Sequence, residues 1–150
     1  MRIAVALLVV AAGCAGSRPY QLASLPGECT EARARDHSVA FHHRAGGTIV
    51  ADASCGEGDD VPLDVLTNHL LFGVEDRHEL PRIAFQLDGR GALRTRLDGT
   101  LDGVRVAFDL VVLKKDGCIF DLYLIAPPDR LLAREPDFDR FVAGFSKAKP

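Results

Sequence analysis

No charge of one sign dominates this chain: 18 Lys and Arg stand against 21 Asp and Glu, a net charge of -3. That balance gives no general attraction for nucleic acid. Cysteine is scarce, four in 150 residues, which excludes a small scaffold held together by disulfides in place of a core. Long apolar runs are missing too. The run Ile3–Ala12 is ten residues, whereas a helix crossing a bilayer needs about 20. There is no Gly-rich phosphate loop, no Cys-x-x-Cys pair, no Ser-His-Asp arrangement with local support, and no internal repeat or low-complexity tract. What remains, 47% hydrophobic and 26% charged residues, is the composition of one soluble globular domain. No residue pattern names a reaction.

The N-terminus carries the sharpest signal. Arg2 precedes the apolar run, and small residues follow it. A signal-peptide core spans about 7–15 apolar residues before a small-residue cleavage site, so this stretch is expected to be a targeting element outside the fold. Its end, Ala11-Ala12-Gly13-Cys14, resembles the lipobox of bacterial lipoproteins, with Ala11 where that family usually carries Leu, Val or Ile. The resemblance implies a diacylglycerol on the thiol of Cys14, which becomes the first mature residue, and stable anchoring takes more than one acyl chain. An ordinary secretory signal cut near Ala15 is the alternative. Ala15 in place of an aspartate implies, by the same resemblance, sorting to the outer membrane facing the periplasm. Residues 1–13 are therefore expected to be a signal peptide and 14–27, rich in Gly, Ser and Pro, a lipidated cysteine with a flexible tether. Residues 28–150 are expected to form a single α+β domain.

Within that domain, Val39–His42 and Thr48–Ala51 are strand-like runs joined through Ala45-Gly46-Gly47. A helix over 62–72 is expected, with Asp59 or Asp60 as N-cap, Pro62 near its first position and Gly73 at C′. Its stripe is Leu63, Leu66, Leu70 and Leu71. Asp-Gly pairs at 88–89, 98–99, 102–103 and 116–117 favour type I′ turns. Centring one turn on Asp102-Gly103 sets Leu97 opposite Phe108, Thr95 opposite Leu110, Leu93 opposite Val112 and Arg96 opposite Asp109. Asp98-Gly99 then falls near a strand end as a bulge. Asp116-Gly117 joins the next strand, 118–126, which is apolar on both faces except at Asp121 and is expected to be covered on both. One cover is the 62–72 helix. The other is a closing helix bearing Phe138, Phe141, Val142 and Phe145, capped by Asp137 after Pro136 has stopped the preceding element, and closed by Gly144. The fold class is α+β, an antiparallel meander flanked by helices.

This order of elements is similar to the PsbP-like small α/β/α sandwich over residues 36–146. The residues that carry the likeness are Phe41, Gly47-Thr48-Ile49, the 62–72 helix, Lys115-Asp116-Gly117-Cys118, and Phe141 with Phe145. The resemblance implies a non-enzymatic assembly or binding factor. It transfers no site residue.

Candidate sites are few. With Cys14 lipidated, Cys29, Cys55 and Cys118 remain in an oxidising compartment. Cys55 and Cys118 sit in core elements, so a Cys55–Cys118 disulfide is expected and Cys29 is left free or intermolecular; Cys29–Cys55 is the rival bridge. Cys29 with a histidine is the drawing for a thiol enzyme. Among His37, His42, His43, His69 and His78, adjacent or five-apart strand positions point to opposite faces, which does not converge on a metal. The acidic loop 56–60 lacks calcium-loop spacing. Arg90, Arg94, Arg96 and Arg105 read as a solvated sheet face. The expectation is a lipid-anchored, non-catalytic envelope protein that meets the membrane through its lipid and binds a protein partner. No cofactor, metal or nucleic acid is expected. A thiol- or His-dependent envelope enzyme and a metal-binding periplasmic lipoprotein are the alternatives.

Overall fold

A computed structural model describes residues 18–33, 38–56 and 60–148. Cys14, His37, Asp59 and most of the 56–60 loop lie outside them. Ten strands and two helices follow in chain order: β1 Tyr20–Gln21, β2 Cys29–Arg33, β3 Val39–His43, β4 Thr48–Cys55, α1 Leu63–Leu70, β5 Val74–Glu79, β6 Ile83–Leu87, β7 Arg90–Leu101, β8 Val104–Lys115, β9 Cys118–Ala126, α2 Leu131–Ala143 and β10 Ser146–Lys147. One antiparallel sheet runs β2-β3-β4-β9-β8-β7-β5, with β6 also on β7, while β1 pairs with β10. The α+β class is as expected.

The Asp-Gly turns organise the long hairpins. Asp102 and Gly103 both have positive φ, 49° and 78°, as a type I′ turn requires. The β7–β8 ladder then pairs Leu101 with Val104, Leu97 with Phe108, Thr95 with Leu110, Leu93 with Val112 and Arg96 with Asp109, the expected register throughout. Asp116-Gly117 joins β8 to β9, and Asp88-Gly89 joins β6 to β7 in the same way. Gly99 is not bulged. The irregularity lies across from it, between Glu75 and His78 of β5. A Cβ on Gly99 would come within 2.7 Å of Val74 Cγ1 and 2.8 Å of Glu75 O, so the glycine admits the neighbouring strand.

Side-chain alternation gives the sheet two faces. On one, Ile49, Ala51, Val111, Leu113, Phe120, Leu122 and Leu124 pack under Phe138, Phe141, Val142 and Phe145 of α2 and the turn after it. On the other, Leu97, Phe108 and Leu110 pack with Leu71, at the end of α1, and Val74, at the start of β5. Three expectations need correction here. First, α2 begins at Leu131 and holds Pro136 inside it, so Asp137 is no cap. The missing N–H leaves the Leu132 carbonyl without its helical donor, a loss offset by three buried side chains further along, Phe138, Phe141 and Val142. Second, α1 is capped by Pro62 with no side-chain hydrogen bond, not by Asp60, and Gly73 falls one residue beyond C′. Its stripe is rotated: Thr67 and Leu71 are fully buried while Leu70 is 37% exposed. Third, residues 18–27 are no tether. Tyr20 is 4% exposed, donates its hydroxyl to Ala51 O at 3.2 Å and packs against Phe120 and Phe145, and Leu22 and Leu25 join the same core. The described residues from Arg18 on already belong to the folded body, ten residues before the expected boundary.

Candidate functional site

Cys55 and Cys118 are direct cross-strand partners and form the disulfide; Cys29 is free. Cys29 lies opposite His43 in the β2–β3 ladder, the nearest approach to a thiol–imidazole pair. The imidazole is engaged elsewhere. Its Nδ1 accepts the Ala45 N–H at 3.0 Å, and its Nε2 lies 3.2 Å from Glu28 Oε2 with Arg134 Nη1 against it. Burial pushes the Cys29 thiol up, and Asp137 adds to the shift. A thiol kept protonated beside an imidazole without a spare acceptor is poorly made for attack. His42, on the opposite face as expected, bonds Thr48 Oγ1 at 2.8 Å. Among the described residues no three His, Cys, Asp or Glu side chains gather as metal ligands.

The arginine stretch is a correction. Arg94 and Arg96 lie at the edge of α2 and not on a solvated face. Arg94 grips Asp109 with Nε and Nη2 at 2.7 and 2.6 Å and reaches Asp139 at 2.7 Å, while stacking over Phe138 at 5.5 Å. Arg96, the cross-strand partner, adds one bond at 3.0 Å and an ion pair to Glu135 at 3.4 Å. Asp109 is wholly buried. Its hydrogen bond holds the Arg94 guanidinium above its ordinary range. These charges dock α2.

Of the concavities on the described surface, two lie against the helices. The larger, about 730 Å³, lies between β5, β7 and the start of α2. Its charged walls are mutually satisfied: Arg96 with Asp109 and Glu135, Glu79 with Arg82, Asp98 with Arg105, and Arg77 with the Leu71 and Val74 carbonyls. The smaller, about 160 Å³, is apolar and lined by Leu70, Phe72, Val74, Leu101, Phe108, Leu110, Tyr123 and Ile125. At its lip Phe72 is 89% exposed. The groove exists because α1 lies over β7 and β8 and stops short of the rest of the face. The expected cover of β9 on both faces is therefore only half met: α2 covers one side of β9, and on the other Tyr123 and Ile125 are left partly open.

That bare half continues from Tyr123 to Asp121, which sits directly opposite Asp52 of β4. Like charges so placed repel. Ser38 Oγ donates to Asp52 Oδ1, whereas Asp121 Oδ1 is buried without a hydrogen-bond partner. Burial pushes the Asp121 carboxyl up to about 7, with Asp52 adding to the shift. Burial, then these two carboxylates, also raises the Tyr123 phenol. The sequence marks Asp121 as the polar break in an apolar strand; its pairing with Asp52 is set by the β4–β9 register.

No family model matches the sequence, and no curated protein matches it. Solved structures do match its shape. LpqN of Mycobacterium tuberculosis, described as involved in cell envelope biogenesis, is 20% identical with a TM-score of 0.66, over 92% of this chain and 88% of that one. Cyanobacterial PsbP from Synechocystis is 14% identical with a TM-score of 0.60, over 93% and 99%. The Ran-binding protein Mog1p of Saccharomyces cerevisiae is 10% identical with a TM-score of 0.59, over 87% and 96%. The fold is PsbP-like.

Proposed function

We propose that this chain is a non-catalytic binding module held on a bacterial cell envelope by a lipid on Cys14. The observation that carries the binding role is the half-covered sheet face, an apolar groove with Phe72 on its lip. Monomeric proteins rarely leave such apolar surface open without a use for it. The engaged ring of His43 and the protonated Cys29 speak against the thiol-enzyme alternative. LpqN, described by its part in envelope biogenesis, and Mog1p, described as Ran-binding, lend the fold a precedent for both place and role; fold alone fixes neither.

The anchor rests on the apolar run Ile3–Ala12 and the lipobox-like 11–14. If Cys14 is lipidated, only four residue steps separate it from Arg18, a reach of at most about 14 Å, so the folded body rides close to the bilayer. The β1–β10 pair beside that exit is tied to the strand ends at the Asp88 and Asp116 turns, through Lys147 N–H to Asp88 at 2.8 Å and Lys147 Nζ to Asp116 at 3.2 Å. The groove lies toward the other end of the strands, by the Asp102-Gly103 turn. A lipid foot at one end and a docking face at the other suit a module that presents itself to a partner off the membrane.

Labelled fatty acid should enter the chain and disappear in a Cys14→Ser variant, which should also leave the membrane fraction. Recovery of the unprocessed chain, Met1 included, from cytosol would refute the anchor.

A further inference from the structure

We propose that the half-face left bare by α1 docks a basic amphipathic segment of a partner protein, its apolar side chain in the groove beside Phe72 and a Lys or Arg on Asp52 and Asp121. This rests on the reading of the chain as a binding module and names the chemistry of its partner. The groove, about 160 Å³, resembles in size a cavity that admits one benzene-sized group, so it takes one apolar side chain. Next to it the sheet presents Tyr123 and Ile125, then the two facing carboxylates. Among the described residues of this half-face, the other ionisable side chains are His42, turned to Thr48, and Tyr123. Lys114, at the far end of β8, gives its Nζ to the Val61 carbonyl.

A cationic side chain fits where two carboxylates lie opposed across β4 and β9. Its aliphatic stem lies along Tyr123 and Val50 and its charged head reaches the acids. Charge decides against other occupants. A second copy docked face to face through a two-fold axis would bring four carboxylates together. A lipid surface would meet the same repulsion from its phosphates. Arg18, the first described residue, is held by Glu31 beside Phe41 on the α2 side of the sheet, the other face.

The test uses the full chain in phosphatidylcholine nanodiscs at pH 8, with empty discs as reference. Three fluorescent dodecapeptides serve as probes: alternating Leu/Lys, alternating Leu/Glu and alternating Ser/Lys. Leu/Lys should bind at least about tenfold tighter than Leu/Glu or Ser/Lys. The Asp52→Asn/Asp121→Asn double variant should abolish its advantage over Leu/Glu. Phe72→Ser, at a side chain outside the core, should weaken Leu/Lys about fivefold with unchanged circular dichroism. Equal binding of Leu/Lys and Leu/Glu, Leu/Lys binding untouched by these substitutions, or a dimer that Phe72→Ser dissolves would overturn the proposal. Fatty-acid labelling separates the two claims: labelling without peptide discrimination removes the docking site alone, and discrimination without labelling removes the anchor alone.

Discussion

The two faces of the one sheet treat a central carboxylate in opposite ways. On the α2 side Asp109 is fully buried, yet two guanidiniums meet it and a helix closes over them. On the α1 side Asp121 is largely buried, faces another carboxylate and keeps an oxygen with no donor. Both faces belong to the same paired strands, so the difference lies in which charges the register brings together and how far each helix reaches. One face is closed by its own partners. The other is left incomplete, and it is there that we propose a partner docks.

Substitutions can break this contrast. The largest effect is expected on the closed face. Asp109→Ala removes the buried anion that Arg94 and Arg96 share, leaving them only Asp139 and Glu135, and should lower stability by about 3–5 kcal/mol, read as a loss of denaturation midpoint. Breaking the Cys55–Cys118 bridge, 63 residues apart in sequence, should cost about 4 kcal/mol in the chain-entropy model. The Cys55→Ser/Cys118→Ser pair measured beside reduced wild type checks this, and near-identity of the two is expected.

The open face should respond with the opposite sign. An unfolded aspartate ionises near 3.9, whereas folded Asp121 holds its proton to about 7. The folded state therefore binds this proton more tightly. Its contribution to stability is full below pH 4 and is lost as pH climbs towards 7. Each unit of displacement is worth about 1.4 kcal/mol, so Asp121→Asn should stabilise the protein at pH 8 by roughly 2–4 kcal/mol and do nothing at pH 4. A difference curve flat across that range would remove the strained pair from the account. Least of all, Phe72→Ser should leave stability within about 0.5 kcal/mol, because the ring contributes little to the core. A loss above 2 kcal/mol would make Phe72 structural and blur the contrast between the faces.

Much of the closed face is legible without coordinates. Asp-Gly turns with alternating apolar residues specify the β7–β8 register, and a 3.6-residue spacing of phenylalanines marks the closing helix. The polar edge strand β5, VEDRHE, is not legible, because a strand lacking a buried face has no alternation to read. Residues 18–27 read as a tether because Gly, Ser and Pro are mixed there with few bulky side chains, although Tyr20, Leu22 and Leu25 each find the core. Pro136 reads as a stop because propensity opposes it inside a helix, and packing overrides propensity there.

The sequence by itself determined the hairpins, since each follows from interactions between near neighbours along the chain or across a single turn, and it pointed to the α+β class and to one of two candidate disulfides. Only the tertiary structure decided that Arg94 outranks Arg96 as the grip on Asp109, that α1 stops before β9, and that Asp52 confronts Asp121. These depend on the lateral order of strands and the placement of helices over them, and side chains distant in sequence meet only when the whole sheet has closed.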